Sequence, residues 1–156
     1  EEVATYKGML HSVAEVLPDM MWCKDTEGKY VYANMAIKNG LLFDMNPIGK
    51  TDVEMAIRAK ARFGSDNHTF GEKCRNSDKV VLETERAERF LESGKVLGKM
   101  MYLEVFKAPW YVNGELRGVV GTGRDMTGYV EAYREQNCGG CGRMADIFKK
   151  YEYGEE

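Results

Sequence analysis

The 156-residue chain carries 44% hydrophobic and 30% charged residues and a formal net charge of -3, the balance of a single globular domain with a core of its own. That charge gives no electrostatic reason to expect nucleic acid or an anionic membrane as a partner, and no apolar run approaches the ~20 residues that cross a bilayer. No signal peptide is evident, the chain opens on Glu1, and cysteines at 23, 74, 138 and 141 lack the density of a secreted disulfide framework. The expectation is a cytoplasmic segment of a longer protein with reduced thiols, whether or not the parent is membrane-anchored.

In residues 1–17, Val3, Tyr6, Leu10, Val13 and Leu17 are spaced 3, 4, 3, 4 on a helix that Pro18 ends. Two heptads suit a lid on the helix's own domain as well as a dimer seam. Residues 20–24 and 30–33 read as strands joined by a turn at Asp25-Thr26-Glu27-Gly28. Asn34 caps a short helix through Ile37, closed by Asn39-Gly40. Thr51-Asp52-Val53-Glu54 has the form of a capping box opening a helix to Ala61. Residues 65–74 are too rich in Gly, Asp and Asn for a helix, and Asn76-Ser77-Asp78 starts one that reaches Thr84. Residues 88–92 form a short strand, with a turn at Ser93-Gly94.

Residues 99–127 are two long strands around Asn113-Gly114, a pair that tolerates the positive φ of a type I′ turn. Met101, Leu103 and Val105 share one face, while Tyr102, Glu104 and Phe106 share the other. A hairpin apolar on both faces must be covered twice. Gly118, Gly121 and Gly123 lack side chains where a strand carries bulk, a mark of close approach or of a bulge. Strands split by a helical insert, with sequential hairpins at each end, predict an antiparallel α+β sheet.

The run Trp22-x-Lys24-Asp25-x-x-Gly28-x-Tyr30-x-Tyr32-x-Asn34 resembles the opening of a PAS domain. Glu104-Val105-x-Lys107-x-Pro109, Asn113-Gly114 and Gly118-x-x-Gly121-x-x-x-Asp125-Met126-Thr127 resemble its closing strands. The resemblance covers roughly residues 15–127. It implies a five-stranded antiparallel sheet in the order 2-1-5-4-3, short helices over one face enclosing a cavity, and flanking N- and C-terminal helices. The implied organisation is a heptad-like helix at 1–17, a sensor domain at 18–127, and an exit helix and tail at 128–156 leading to an output domain. Such domains sense for bacterial histidine kinases, diguanylate cyclases or chemoreceptors, and none of the residues forms a nucleophile–base arrangement for catalysis. Aligned on the resemblance, Trp22, Tyr32, Leu103, Val105, Lys107, Gly121 and Gly123 are the candidate ligand-binding residues. Asp125 and Thr127 are the candidate relay.

Cofactors are judged against the same resemblance. Flavin-binding members carry Asn-Cys-Arg-Phe-Leu-Gln and a glutamine on the last strand. Here Lys73-Cys74-Arg75-Asn76 lacks the Phe-Leu-Gln continuation, and Gly123 holds the glutamine position. Haem-binding members take a histidine from the last helix before the third strand, which has none here. His68 lies upstream beside Asp66 and Asn67, where a solvated or capping role is expected, and His11 lies on the first helix, outside the cavity.

Cys138-Gly139-Gly140-Cys141 has three readings: half of a zinc site completed across a two-fold, a redox pair, or a flexible hinge. Gly121-Thr122-Gly123 fails the dinucleotide fingerprint because Met126 stands where glycine is needed. Glu83, Glu85, Glu88 and Glu92 with Arg86 and Arg89 read as a solvated face, and Met20, Met21, Met100 and Met101 as core filler.

Two functions remain: a sensor for a small molecule, or a ligandless dimerisation and relay module. Glycines at 121 and 123 would enlarge the cavity, and Lys107 in an apolar wall asks for an anionic partner, so a small acidic metabolite is the expected ligand. The alternative for Lys107 is a snorkelling side chain. The expected assembly is a parallel homodimer with the N-terminal helices at its centre, landing on Tyr102 and Phe106 of the outer sheet face.

Overall fold

The computed structural model describes residues 1–43, 45–71 and 74–136. Two of the helices start where side chains supply the missing acceptors. Asn34 Oδ1 accepts the Ile37 N–H and opens α2, Met35–Gly40. Thr51 Oγ1 accepts from the Glu54 N–H while the Glu54 carboxylate accepts from the Thr51 N–H, the reciprocal box that opens α3, Asp52–Phe63. The other helices are α1, Glu2–Val16, α4, Cys74–Thr84, and α5, Thr127–Gln136, with a 3₁₀ turn at Ser65–Asn67.

The strands are β1 (Met20–Asp25), β2 (Tyr30–Ala33), β3 (Glu88–Val96), β4 (Lys99–Val112) and β5 (Glu115–Asp125). They form one antiparallel sheet in the order β2-β1-β5-β4-β3, as the resemblance implies. Asn113 and Gly114 take φ of 51° and 77°, the conformation of a type I′ turn. The turn expected at Ser93-Gly94 is absent. β3 runs on to Val96 and turns at Leu97-Gly98, both with positive φ. Gly94 marks a close approach instead, since a Cβ there would come within 2.8 Å of the Phe70 Cα.

The inner sheet face and helices α2–α4 close over Trp22, Ile37, Met55, Phe70, Phe90, Leu103 and Val105. A second, smaller cluster lies on the outer face, where Leu91 and Tyr102 meet Val130 of α5. Tyr102 is therefore covered by the exit helix and not by α1. The double cover demanded by the hairpin is incomplete, because Phe106 on the same outer face remains 51% exposed. On α1 only Ala14 is buried; the heptad stripe faces solvent, with Leu10 68% and Val13 57% exposed.

Candidate functional site

The floor of the site is one row across three strands. Trp22 of β1 pairs with Gly121 of β5, which pairs with Lys107 of β4. A Cβ on Gly121 would stand 2.5 Å from the indole Cε2, and one on Gly123 would stand 3.2 Å from Cζ3. The two glycines thus seat the Trp22 ring flat on the sheet. They do not widen the cavity, because the indole fills the space they leave.

Beside that floor lies a buried charge cluster. Lys107 is only 1% exposed, so it does not snorkel. Its ammonium donates to Ser77 Oγ at 2.6 Å and to Asp78 Oδ1 at 2.7 Å, with Glu92 Oε1 at 3.3 Å. Lys24 donates to Asp78 Oδ2 at 2.7 Å and to Asp52 Oδ2, and Asp52 Oδ1 accepts from the Tyr30 hydroxyl at 2.7 Å. Burial pushes the Asp78 carboxyl up, but Lys24 and Lys107 together outweigh it and hold Asp78 below the ordinary carboxylate range. The anionic partner that Lys107 requires is thus supplied by the protein's own Asp78 and Glu92. Glu92, read from the sequence as part of a solvated face, joins the cluster because β3 extends and turns that side chain inward, where it also accepts from Ser77.

His68 is the other correction. It is 3% exposed and lines the cavity with Trp22, Lys24, Lys107 and Leu103. The Thr69 and Phe70 N–H groups both donate to the Lys95 carbonyl, which pins the segment along β3 and turns His68 and Phe70 inward on either side of exposed Thr69. Its ring meets Phe43 edge-on at 5.9 Å. Burial, then the charge of Lys60, hold the imidazole below its ordinary value, and a backbone contact at Phe70 opposes them. The cavity measures about 30 Å³, with Leu41, Leu42, Met45 and Met55 among its apolar walls. Trp22 Nε1 and His68 Nδ1 are buried and have no hydrogen-bond partner among the described residues.

Of the expected binding residues, Trp22, Leu103 and Lys107 line this cavity, and Val105 packs in the core beside it. Tyr32 does not reach it. Its hydroxyl donates to Glu15 Oε1 at 2.7 Å on the opposite face, beneath α1, and burial first, then Glu15, push the phenol up to about 12. The two-residue alternation of β2 puts Tyr30 inside and Tyr32 outside. Asp125 and Thr127 do meet: Thr127 N–H and Oγ1–H both donate to Asp125 Oδ1, and Thr127 Oγ1 accepts the Tyr102 N–H at 3.1 Å. The side chain of Cys74, and Cys138 and Cys141 entirely, lie outside the described residues.

Lys24, Tyr30, Asp52, His68, Ser77, Asp78 and Glu92 were not among the expected site residues. Lys24 and Tyr30 stand in the motif that carries the resemblance, and His68 left a signal in its alternation with Phe70. The rest come together from α3, α4 and β3 and have no spacing in common.

No protein among curated sequences matches the chain significantly. Solved structures do. The Vibrio cholera VqmA–ligand–DNA complex is 26% identical with a TM-score of 0.59, the match covering 76% of this chain and 51% of that one. VqmA bound to DPO is likewise 26% identical, TM-score 0.55, over 75% of this chain and 56% of that one. This chain therefore spans about half the length of those proteins. The PAS domain of Bordetella pertussis BvgS matches at 16% identity and a TM-score of 0.55, covering 87% and 96% of the two chains. The VqmA complex with DNA overturns the expectation, drawn from net charge, that nucleic acid is no partner of such a protein. A charge of -3 on one chain does not speak for the half of VqmA that it fails to span. The PAS fold family matches residues 14–131, the span that holds the 2-1-5-4-3 sheet, the helical cover and the enclosed cavity, and the chain belongs to that family.

Proposed function

We propose that this chain is a sensory module that takes a small molecule into the cavity between α2–α4 and the sheet, and passes the event through its flanking helices to an attached output. One observation carries the reading: Trp22 Nε1 and His68 Nδ1, both in residues that line a single cavity, have no hydrogen-bond partner among the described residues. Buried polar atoms without partners cost free energy, so a purely structural core has reason to eliminate them, whereas a ligand site has reason to keep them. The likeness to VqmA, solved with DPO and with ligand and DNA, adds a DNA-contacting output to histidine kinases, diguanylate cyclases and chemoreceptors as classes this sensor serves. Its role is regulation and not catalysis.

The route out follows from the end of β5. Asp125, Thr127 and the backbone of Tyr102 tie β4, β5 and α5 together without a flexible linker. The exposed heptad stripe of α1 is self-complementary at 3-4 spacing, which favours a parallel homodimer seamed by this helix. Among the described residues, no helix is long and apolar enough to cross a membrane.

The smallness of the cavity, about 30 Å³, favours the second reading, a ligandless relay module. Thermal shift with DPO and a panel of small metabolites separates the two. A ligand at 100 times its dissociation constant adds about 2.7 kcal/mol to stability. If no compound raises the melting temperature, the relay reading prevails.

A further inference from the structure

In the charge cluster of the cavity wall, the described cations already face carboxylates. Lys107 has three acceptors around its ammonium, and both oxygens of Asp78 and of Asp52 are engaged by Lys24, Lys107 and Tyr30. Among the described residues, three carboxylates (Asp52, Asp78, Glu92) face two ammonium groups (Lys24, Lys107), so each described cation already has an acidic partner. An anionic ligand would have to leave water for a site whose described cations already hold carboxylates. The acidic metabolite expected from Lys107 alone is thereby disfavoured.

Among the described residues, the buried side-chain atoms of this wall that lack a partner are neutral. The Trp22 indole can only donate. The ring is fixed on Gly121, where a built Cβ would lie 2.7 Å from Nε1, so that nitrogen cannot swing away to find another acceptor. His68 Nδ1 accepts or donates according to its tautomer, and the ring is held against Phe43. Between them the walls are apolar, among them Met45, Met55 and Leu103.

We propose that Trp22 and His68 form the polar recognition pair of this cavity, and that its ligand is a small uncharged molecule offering an acceptor to the Trp22 N–H and a second polar group to His68. The inference rests on the ligand-site reading above and specifies its chemistry. A compact amide or ring-nitrogen heterocycle meets both demands. A carboxylate of the same shape can offer its oxygens to both, but it carries a full charge into a wall whose described cations already hold carboxylates. Desolvation of an uncharged compound is also modest enough for two hydrogen bonds and apolar contact to offset it.

The test titrates ¹⁵N-labelled protein with matched pairs of probes: nicotinamide and nicotinate, pyrazinamide and pyrazinoate, benzamide and benzoate. The two tryptophan indole signals are assigned with Trp22→Phe. The amides are expected to shift the Trp22 indole N–H signal, and each carboxylate to bind more weakly than its amide. His68→Phe should weaken the best amide about tenfold, the loss of about one hydrogen bond, while His68→Asn stays within about threefold. If His68→Phe does not fold, Trp22→Phe carries the same comparison. Carboxylates binding more tightly than amides, or amides binding with the Trp22 signal unmoved and His68→Phe equal to wild type, would overturn the pair and leave the site intact. Binding by no probe at millimolar concentration removes the pair and the ligand-site reading together.

Discussion

Trp22 and Gly121 are cross-strand partners, and the indole of the first rests on the missing side chain of the second. Gly121→Ala places a methyl 2.5 Å from the ring, so it is expected to cost about 1–3 kcal/mol by overpacking and to alter tryptophan emission. In a double-mutant cycle with Trp22→Leu, the cost of the alanine should shrink. Additive costs in chemical denaturation would mean that the ring does not sit where described.

Asp78 holds Lys24 and Lys107 at once. Asp78→Asn leaves both underpaired in the interior, and a loss of about 3–5 kcal/mol is expected by denaturant titration. Its folded-state pKa is lowered, so its contribution is complete above the unfolded carboxylate value and is lost as pH falls through the folded one. The variant should therefore differ from wild type at neutral pH and converge with it in strong acid. A gap that persists undiminished in acid would refute the assignment.

His68 titrates in the opposite setting, a cation penalised by burial. Its pKa lies below the ordinary histidine value, so the neutral form is the one the fold favours. That contribution is present above about pH 6.5 and declines as pH falls below it. Melting temperatures taken between pH 7.5 and pH 5 should drop for wild type and drop less for His68→Phe. Parallel curves for the two proteins would place the titrating group elsewhere.

Thr127 joins the end of β5 to the backbone of β4 through one hydroxyl. Thr127→Val keeps the shape and removes the bond, at about 1 kcal/mol. Amide exchange in α5 should quicken while β1 and β2 keep their protection. Unchanged protection in α5 would mean that the helix is held by Val130 packing alone.

Leu10 and Val13 stand exposed on α1, away from the core. Replacing both by Asp should convert a dimer to a monomer in sedimentation with the melting temperature little changed. A wild-type chain already monomeric at high micromolar concentration would leave the stripe without this role.

The fold was legible because its signals are local. Asn34, the Thr51–Glu54 box and Asn113-Gly114 each act within a few residues, and each element they start is found. Gly94 misled because a glycine reads alike whether it bends the chain or admits a neighbour, and only Phe70 decides which. The site was legible in part. The cavity-facing positions of β4 follow from alternation, but the partners of Lys107 arrive from α4 and β3. A buried lysine announces that it needs a carboxylate and does not say which one. Reading that need as a ligand's charge was the natural error, since Ser77, Asp78 and Glu92 share no pattern with Lys107 along the chain.

Asn34 has a consequence for where this domain can be cut. Its amide donates to the carbonyls of Ala14 and Asp19, and its oxygen accepts from the N–H groups of Met21 and Ile37. One side chain thereby fastens the last turn of α1, the start of β1 and the cap of α2. A fragment trimmed to begin at Pro18, the border that sequence patterning suggests, would strip Asn34 of the Ala14 carbonyl and uncover the base of the sheet. A fragment that keeps Ala14 and its carbonyl is therefore expected to melt higher than one that begins at Pro18, a comparison that thermal denaturation of the two makes directly.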